Sequence, residues 1–158
     1  MQILRTLALG VMMLSLPAHG QEPTVLWRGL TVGMSKDEVA KALPEKEIDL
    51  LADCRTIVST RFQNDRLHSV VITPKWIASK NNCIGPMKAS LTEKYGDANR
   101  TVVTVPGNQF KREEIYDLYF WIAGGIEVEY RSQIGGERWS LIYRPITHSA
   151  PPKRIEGL

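Results

Sequence analysis

The sharpest chemical options in this chain sit in two cysteines, Cys54 and Cys83. A thiol pair can be a structural disulfide, a redox couple or part of a metal site. A redox couple usually shows C-x-x-C spacing, which is absent here. Tetrahedral zinc would need two more ligands nearby, and only His68 is available in that region. An even cysteine count in an oxidising compartment therefore points to a Cys54–Cys83 bridge. Closing that loop stabilises by about 3.6 kcal/mol if chain entropy alone is counted.

The other reactive side chains converge less well. His68 falls inside the strand-like run Leu67-His68-Ser69-Val70 and reads as a surface or satisfied histidine. His148 lies near the C-terminus, where no rigid shell would hold it for catalysis. No Gly-x-Ser-x-Gly elbow, P-loop, His-Glu-x-x-His, EF-hand loop or dinucleotide fingerprint occurs. Glu113-Glu114 and Glu127/Glu129 offer carboxylates for acid–base work. Glu127 and Glu129 share one strand face, where Arg131 and Arg138 are expected to neutralise them as a solvated charge ladder. No catalytic residue, metal site or cofactor is expected.

The segment Met1–Gly20 carries an address rather than a fold. Arg5 precedes the uncharged apolar run Thr6–Leu16, Pro17 breaks it, and Ala18-His19-Gly20 supplies small residues at a cleavage position. The run is too short for a bilayer core, which needs roughly 20 residues. A secretory leader cleaved after Gly20 is expected, with no lipoprotein cysteine beside the cut. The product is expected in the periplasm or secreted, with no stable membrane insertion. A net charge of +3, without a clustered basic face, argues against a nucleic-acid partner.

Residues 21–146 read as one domain and 147–158 as a flexible tail rich in Ser, Ala, Pro, Lys and Arg. Residues 21–29 form a lead-in with Trp27 as an anchor. Ser35-Lys36-Asp37-Glu38 is a capping box, flanked by Met34 and Val39 at staple spacing. Val39 and Leu43 share a face, and Pro44 ends this first helix. Arg55–Phe62 and Leu67–Ile72 read as a hairpin turned by Asn64-Asp65 and closed by Pro74, with Trp76 and Ile77 over one edge of the core. A second helix follows, capped by Asn81 or Asn82, with Pro86 in its first turn. Its stripe is Ile84, Met87, Leu91 and Tyr95, its stop is Gly96, and Lys88 and Lys94 face solvent.

Four strands complete the pattern: Thr101–Val105, Ile115–Ile122, Ile126–Arg131 and Arg138–Arg144. Ile126, Val128 and Tyr130 point inward on the third of these, and Trp139, Leu141 and Tyr143 share a face on the fourth. Residues 107–114 form a polar, mobile loop. The expected fold is α+β: an antiparallel sheet of about 5–6 strands with two short helices on one face, in the order α-β-β-α-β-β-β-β. Gly33-Met34 and Gly85-Pro86-Met87 open the two helices alike. We read this as two similar helices packing on one sheet, in preference to an internal duplication.

Leu30-Thr-Val-Gly33-Met34-Ser35 through Val39 and Leu43, followed by Phe62-Gln-Asn64-Asp65-Arg66-Leu67, resembles the SmpA/OmlA (BamE-like) family and the related β-lactamase-inhibitor-like fold. The resemblance spans Leu30 to Ile72 and implies one or two helices on an antiparallel sheet. It also implies a role in envelope assembly or in blocking another protein. Pro44 directly after Leu43, and the missing lipoprotein cysteine, depart from the family pattern.

The candidate contact surface lies in the last strands. A register pairing Phe120 with Val128 sets Tyr119 and Trp121 on the outer sheet face, beside Lys111 and Arg112 of the polar loop. These four residues are the expected binding site. The expected function is a soluble exported protein-binding or envelope-assembly module, acting on an envelope or secreted protein. The alternative is an exported inhibitor or immunity-like protein that blocks one enzyme.

Overall fold

The computed structural model describes residues 22–51, 54–75, 83–106 and 113–146. The expected leader, Trp76-Ile77, the Asn81/Asn82 cap, Lys111, Arg112 and the tail lie outside the described residues. The fold is α+β and the strand pairs are antiparallel.

The elements run β1 (Val25–Trp27), β2 (Leu30–Thr31), α1 (Lys36–Ala42), β3 (Glu47–Leu51), β4 (Cys54–Gln63), β5 (Arg66–Pro74), α2 (Ile84–Tyr95), β6 (Asn99–Val105), β7 (Glu114–Ala123), β8 (Ile126–Gln133) and β9 (Trp139–Pro145). Three strands beyond the expected order are present. The first two, β1 and β2, pair with each other, and β3 extends the main sheet to seven strands in the order β3-β4-β5-β9-β8-β7-β6. Both β1 and β2 are too short to show a period. Strand β3 (Glu-Ile-Asp-Leu-Leu) carries acidic residues that strands disfavour, so its pairing with β4 supplies what its propensity lacks.

Local chemistry sets the helices. The Ser35 N–H donates to Glu38 Oε2 at 2.7 Å and the Glu38 N–H donates to Ser35 Oγ at 3.3 Å. This is the reciprocal capping box. The Ser35 N–H, and the Ser35 hydroxyl donating to the same Oε2 at 2.8 Å, hold the Glu38 carboxyl below its ordinary pKa. Helix α1 is short, so packing must hold it. Val39 joins the core. The turn before α1 is tied to β5 by Gly33 N–H to Leu67 O (2.9 Å) and Leu67 N–H to Met34 O (2.8 Å). The second helix, α2, is flanked by Cys83 at its N-cap and Gly96 at its C-cap. Gly96 has a φ of 80°. An L side chain rarely adopts that conformation.

The disulfide joins Cys54 on β4 to Cys83 at the start of α2, with Cα atoms 6.0 Å apart. That separation is ordinary for a bridge. It fastens the helix entry to the sheet.

Two-residue turns close both hairpins; a bulge between Arg61 and Phe62 shifts the β4–β5 register, whereas β7–β8 keeps the register of its turn. Asn64 and Asp65 both take positive φ between β4 and β5, as do Gly124 and Gly125 between β7 and β8. The second turn pairs Ala123 with Ile126, hence Trp121 with Val128 and Tyr119 with Tyr130. The core therefore gathers one set of alternate residues: Val58, Val70, Ile72, Tyr119, Trp121, Val128, Tyr130, Leu141 and Tyr143, with Trp27, Met87 and Leu91 against them. Among the described residues, no helix is long and apolar enough to cross a membrane.

Candidate functional site

The expected contact anchors turn out to be core. Tyr119 is 7% exposed and Trp121 2%. The register explains this. Phe120 pairs with Glu129 rather than with Val128, so Tyr119 and Trp121 share the face of Tyr130 and meet α2. The Trp121 Nε1–H donates to Gly96 O at 2.8 Å, and the Tyr130 hydroxyl donates to Ile84 O at 3.1 Å. The rings of Tyr95, Trp121, Tyr119 and Tyr130 follow one another with centroids 6.3 Å apart. Trp139 extends the chain, 6.0 Å from Tyr130. These separations suit tilted and offset aromatic contacts. Burial holds the Tyr130 and Tyr143 hydroxyls protonated well above the ordinary tyrosine pKa.

At the rim of this layer, Lys88 does more than face solvent. Its Nζ donates to the Tyr119 hydroxyl at 2.9 Å, and that hydroxyl donates to Asp117 Oδ2 at 2.7 Å. Arg100 on β6 grips the same carboxylate with two bonds of 2.7 Å and 2.8 Å. This bidentate grip lowers the Asp117 pKa. The network ties α2, β7 and β6 together.

The opposite sheet face is built by the other alternate residues. One row runs Asn99, Phe120, Glu129, Ile142, Val71 and Ser59 across six strands. Beside it run Thr101, Leu118, Arg131 and Ser140, and on the other side Ile122, Glu127 and Arg144. At the centre Glu129 is only 4% exposed. It accepts from Arg131 Nη2 at 2.9 Å and lies 3.2 Å from Arg144 Nη2. Arg144 also binds Glu127.

Arg138, expected on this ladder, pairs instead with Glu114 at 3.0 Å. Glu114 also accepts from the Tyr116 hydroxyl at 2.6 Å. This bond raises the tyrosine pKa. The Arg131 guanidinium sits 5.8 Å from the centre of the Tyr116 ring, within cation–π range. Aliphatic side chains frame the charges, and Ile122 is 67% exposed.

Both carboxylates are engaged by arginines, Glu129 by Arg131 and Arg144 and Glu127 by Arg144. This face is suited to contact. Its arginines, tyrosine and phenylalanine are residue types that anchor protein interfaces.

A separate cleft of about 380 Å³ opens between β1, α2 and the core. Leu26, Met87, Leu91 and Leu141 line it, with Tyr95 and Tyr143. Two further lining cations lie over rings: Arg28 is 4.9 Å from the Trp27 centroid and Lys94 is 4.9 Å from that of Tyr95. Among the described residues, no group of three or more His, Cys, Asp or Glu is placed to hold a metal ion.

Sequence reasoning misses Phe120, Ile142 and Arg144 as members of one surface. The signal for Phe120 is available, since a two-residue Gly-Gly turn dictates the register of β7 on β8. Ile142 and Arg144 need the β8–β9 and β5–β9 pairings. No family model matches the chain, and neither the curated proteins nor the solved structures yield a match.

Proposed function

We propose that this chain is an exported protein-binding module with no catalytic chemistry of its own, engaging an envelope or secreted protein through the sheet face of Phe120, Glu129, Arg131, Ile142 and Arg144. In this reading both helices cover one side of the sheet and leave the other for a partner, the arrangement implied by the resemblance to SmpA/OmlA-like and β-lactamase-inhibitor-like proteins. The leader-like N-terminus supports export, and the Cys54–Cys83 bridge suits an oxidising compartment.

One observation carries the proposal: Glu129 sits nearly buried between two arginines, in a row with Phe120 and Ile142. Charges fixed in advance lose little freedom on docking, and the apolar frame supplies area to desolvate. A partner with an acidic group for the outer faces of Arg131 and Arg144, and an apolar side chain for Phe120 and Ile142, is complementary to it.

The test is affinity capture from the cell envelope with the exported protein and two double variants. Phe120→Ala with Arg144→Ala removes the free face. Lys41→Ala with Ser90→Ala alters helix residues outside that face. The expected result is one dominant protein retained by wild type and by the helix variant and lost with the face variant. Equal recovery by all three forms, or none by any, overturns the reading. A single enzyme captured stoichiometrically and inactivated would select the inhibitor form of it; weak capture of several envelope proteins would select the assembly form.

A further inference from the structure

The two edges of the seven-stranded sheet are built differently. Strand β3, at one edge, is five residues long and carries Glu47 and Asp49. Its pairing with β4 slips between Asp49 and Leu51. Short length, charge and irregularity are the devices by which proteins keep sheet edges from recruiting another strand.

Strand β6, at the other edge, is longer, regular and carries one charge. All seven residues of Asn-Arg-Thr-Val-Val-Thr-Val pair with β7 without a register shift. The sequence is β-branched from Thr101 on, with no proline or glycine. Its single charge, Arg100, is tied back to Asp117 on β7 by two hydrogen bonds. Among the described residues no strand pairs with its outer side, and Val102 is 52% exposed.

We propose that β6 pairs antiparallel with β6 of a second copy of this chain, joining two sheets about a twofold axis. The sequence is self-complementary for this. Opposite residues in an antiparallel pair share a sheet face, so residues of the same parity must meet. A register centred on Val102 satisfies that rule and uses the whole strand. It sets Val102 against its own copy, Arg100 against Thr104, Thr101 against Val103 and Asn99 against Val105. No like charges face each other, whereas a register centred on Arg100 would oppose two guanidinium groups. The resulting contact is isologous and closes at two copies, because the acidic, slipped β3 edge does not offer a second strand for growth.

The test is sedimentation of the purified exported protein, alone and as Val102→Lys, together with air oxidation of Val102→Cys and of Ile122→Cys. Thermal unfolding of each variant checks that it folds. Wild type is expected to dimerise reversibly at concentrations on the order of 100 µM or below, with dissociation at least about tenfold easier in Val102→Lys, which opposes two like charges. Val102→Cys is expected to form a covalent dimer, since opposed Cβ atoms lie about 4.5–5.5 Å apart. Ile122→Cys, on the opposite sheet face, is expected to keep the reversible dimer and to form no covalent one.

A monomer throughout with no covalent dimer of Val102→Cys overturns the proposal. So does an open-ended polymer, which would mean that β6 meets β3, or recovery of β6 bound to a different protein in place of a second copy.

Discussion

The same strands present two faces made by opposite chemistry. On β7, Tyr119 and Trp121 lie against α2 with their polar atoms bonded to named acceptors, while Phe120 between them turns to the side where Glu129 and its arginines sit. On β8, Val128 and Tyr130 belong to the core and Glu127 and Glu129 to the ion pairs. On β9, Leu141 and Tyr143 pack inward and Ile142 and Arg144 face away from the core. Aromatic content alone therefore does not identify a contact surface. Rings with a helix above them build stability. Rings beside fixed charges on the opposite face are those to which the proposed function assigns recognition.

Substitution of adjacent residues should separate the two faces by the widest margin. Trp121→Ala should cost about 3–5 kcal/mol, the range for deleting a large aromatic from a core. Phe120→Ala should cost about 1 kcal/mol or less, and urea unfolding of both variants measures the gap. Equal losses would mean that the two faces are packed alike. Next in size, replacing Cys54 and Cys83 together by serine should remove about 2–4 kcal/mol, read as a lower urea midpoint. An unchanged midpoint would show that the link between α2 and β4 adds nothing that packing does not already supply.

Tyr130→Phe removes the bond to Ile84 O. Its cost should be about 1 kcal/mol. The pH dependence reports on the same buried rings. Burial raises the folded-state pKa of Tyr130 and Tyr143. Their contribution is therefore complete below the unfolded value of about 10 and is lost as pH rises beyond it. Absorbance of tyrosinate should show two hydroxyls that ionise only with unfolding. Early titration of every tyrosine would place these rings in water. The smallest effect lies at the other end of the scale. Arg100 lowers the Asp117 pKa. That pairing stabilises above pH about 4 and is lost as pH falls through the folded value. Asp117→Asn should flatten the acid limb of the stability profile.

Much of the fold is legible because local chemistry and global packing agree. The Ser35 capping box, the turns at Asn64-Asp65 and Gly124-Gly125, and the inward alternation of Ile126, Val128 and Tyr130 all stand in the structure as read. The stripe of α2 does as well, through Met87 and Leu91. The candidate surface is harder to read because Asp-Leu-Tyr-Phe-Trp-Ile is apolar on both faces, so periodicity does not orient β7. The turn does orient it: a two-residue loop pairs Trp121 with Val128, a residue whose inward position its own alternation gives. Proximity in sequence sets Arg138 beside Glu127 and Glu129, but β9 begins at Trp139, and Arg138 meets Glu114 on β7. Strand β3 is hidden for the reason that makes it a guarded edge, its acidic composition.

Photo-crosslinking in the living cell envelope decides which face recognises a partner. A crosslinking amino acid is placed at Phe120 in one strain and at Lys41, on α1, in another. A recognition surface around Glu129 predicts a discrete adduct with one other protein from position 120 and none from position 41. The same adduct from both positions, or from position 41 alone, would contradict the assignment of recognition to the face that carries Glu129.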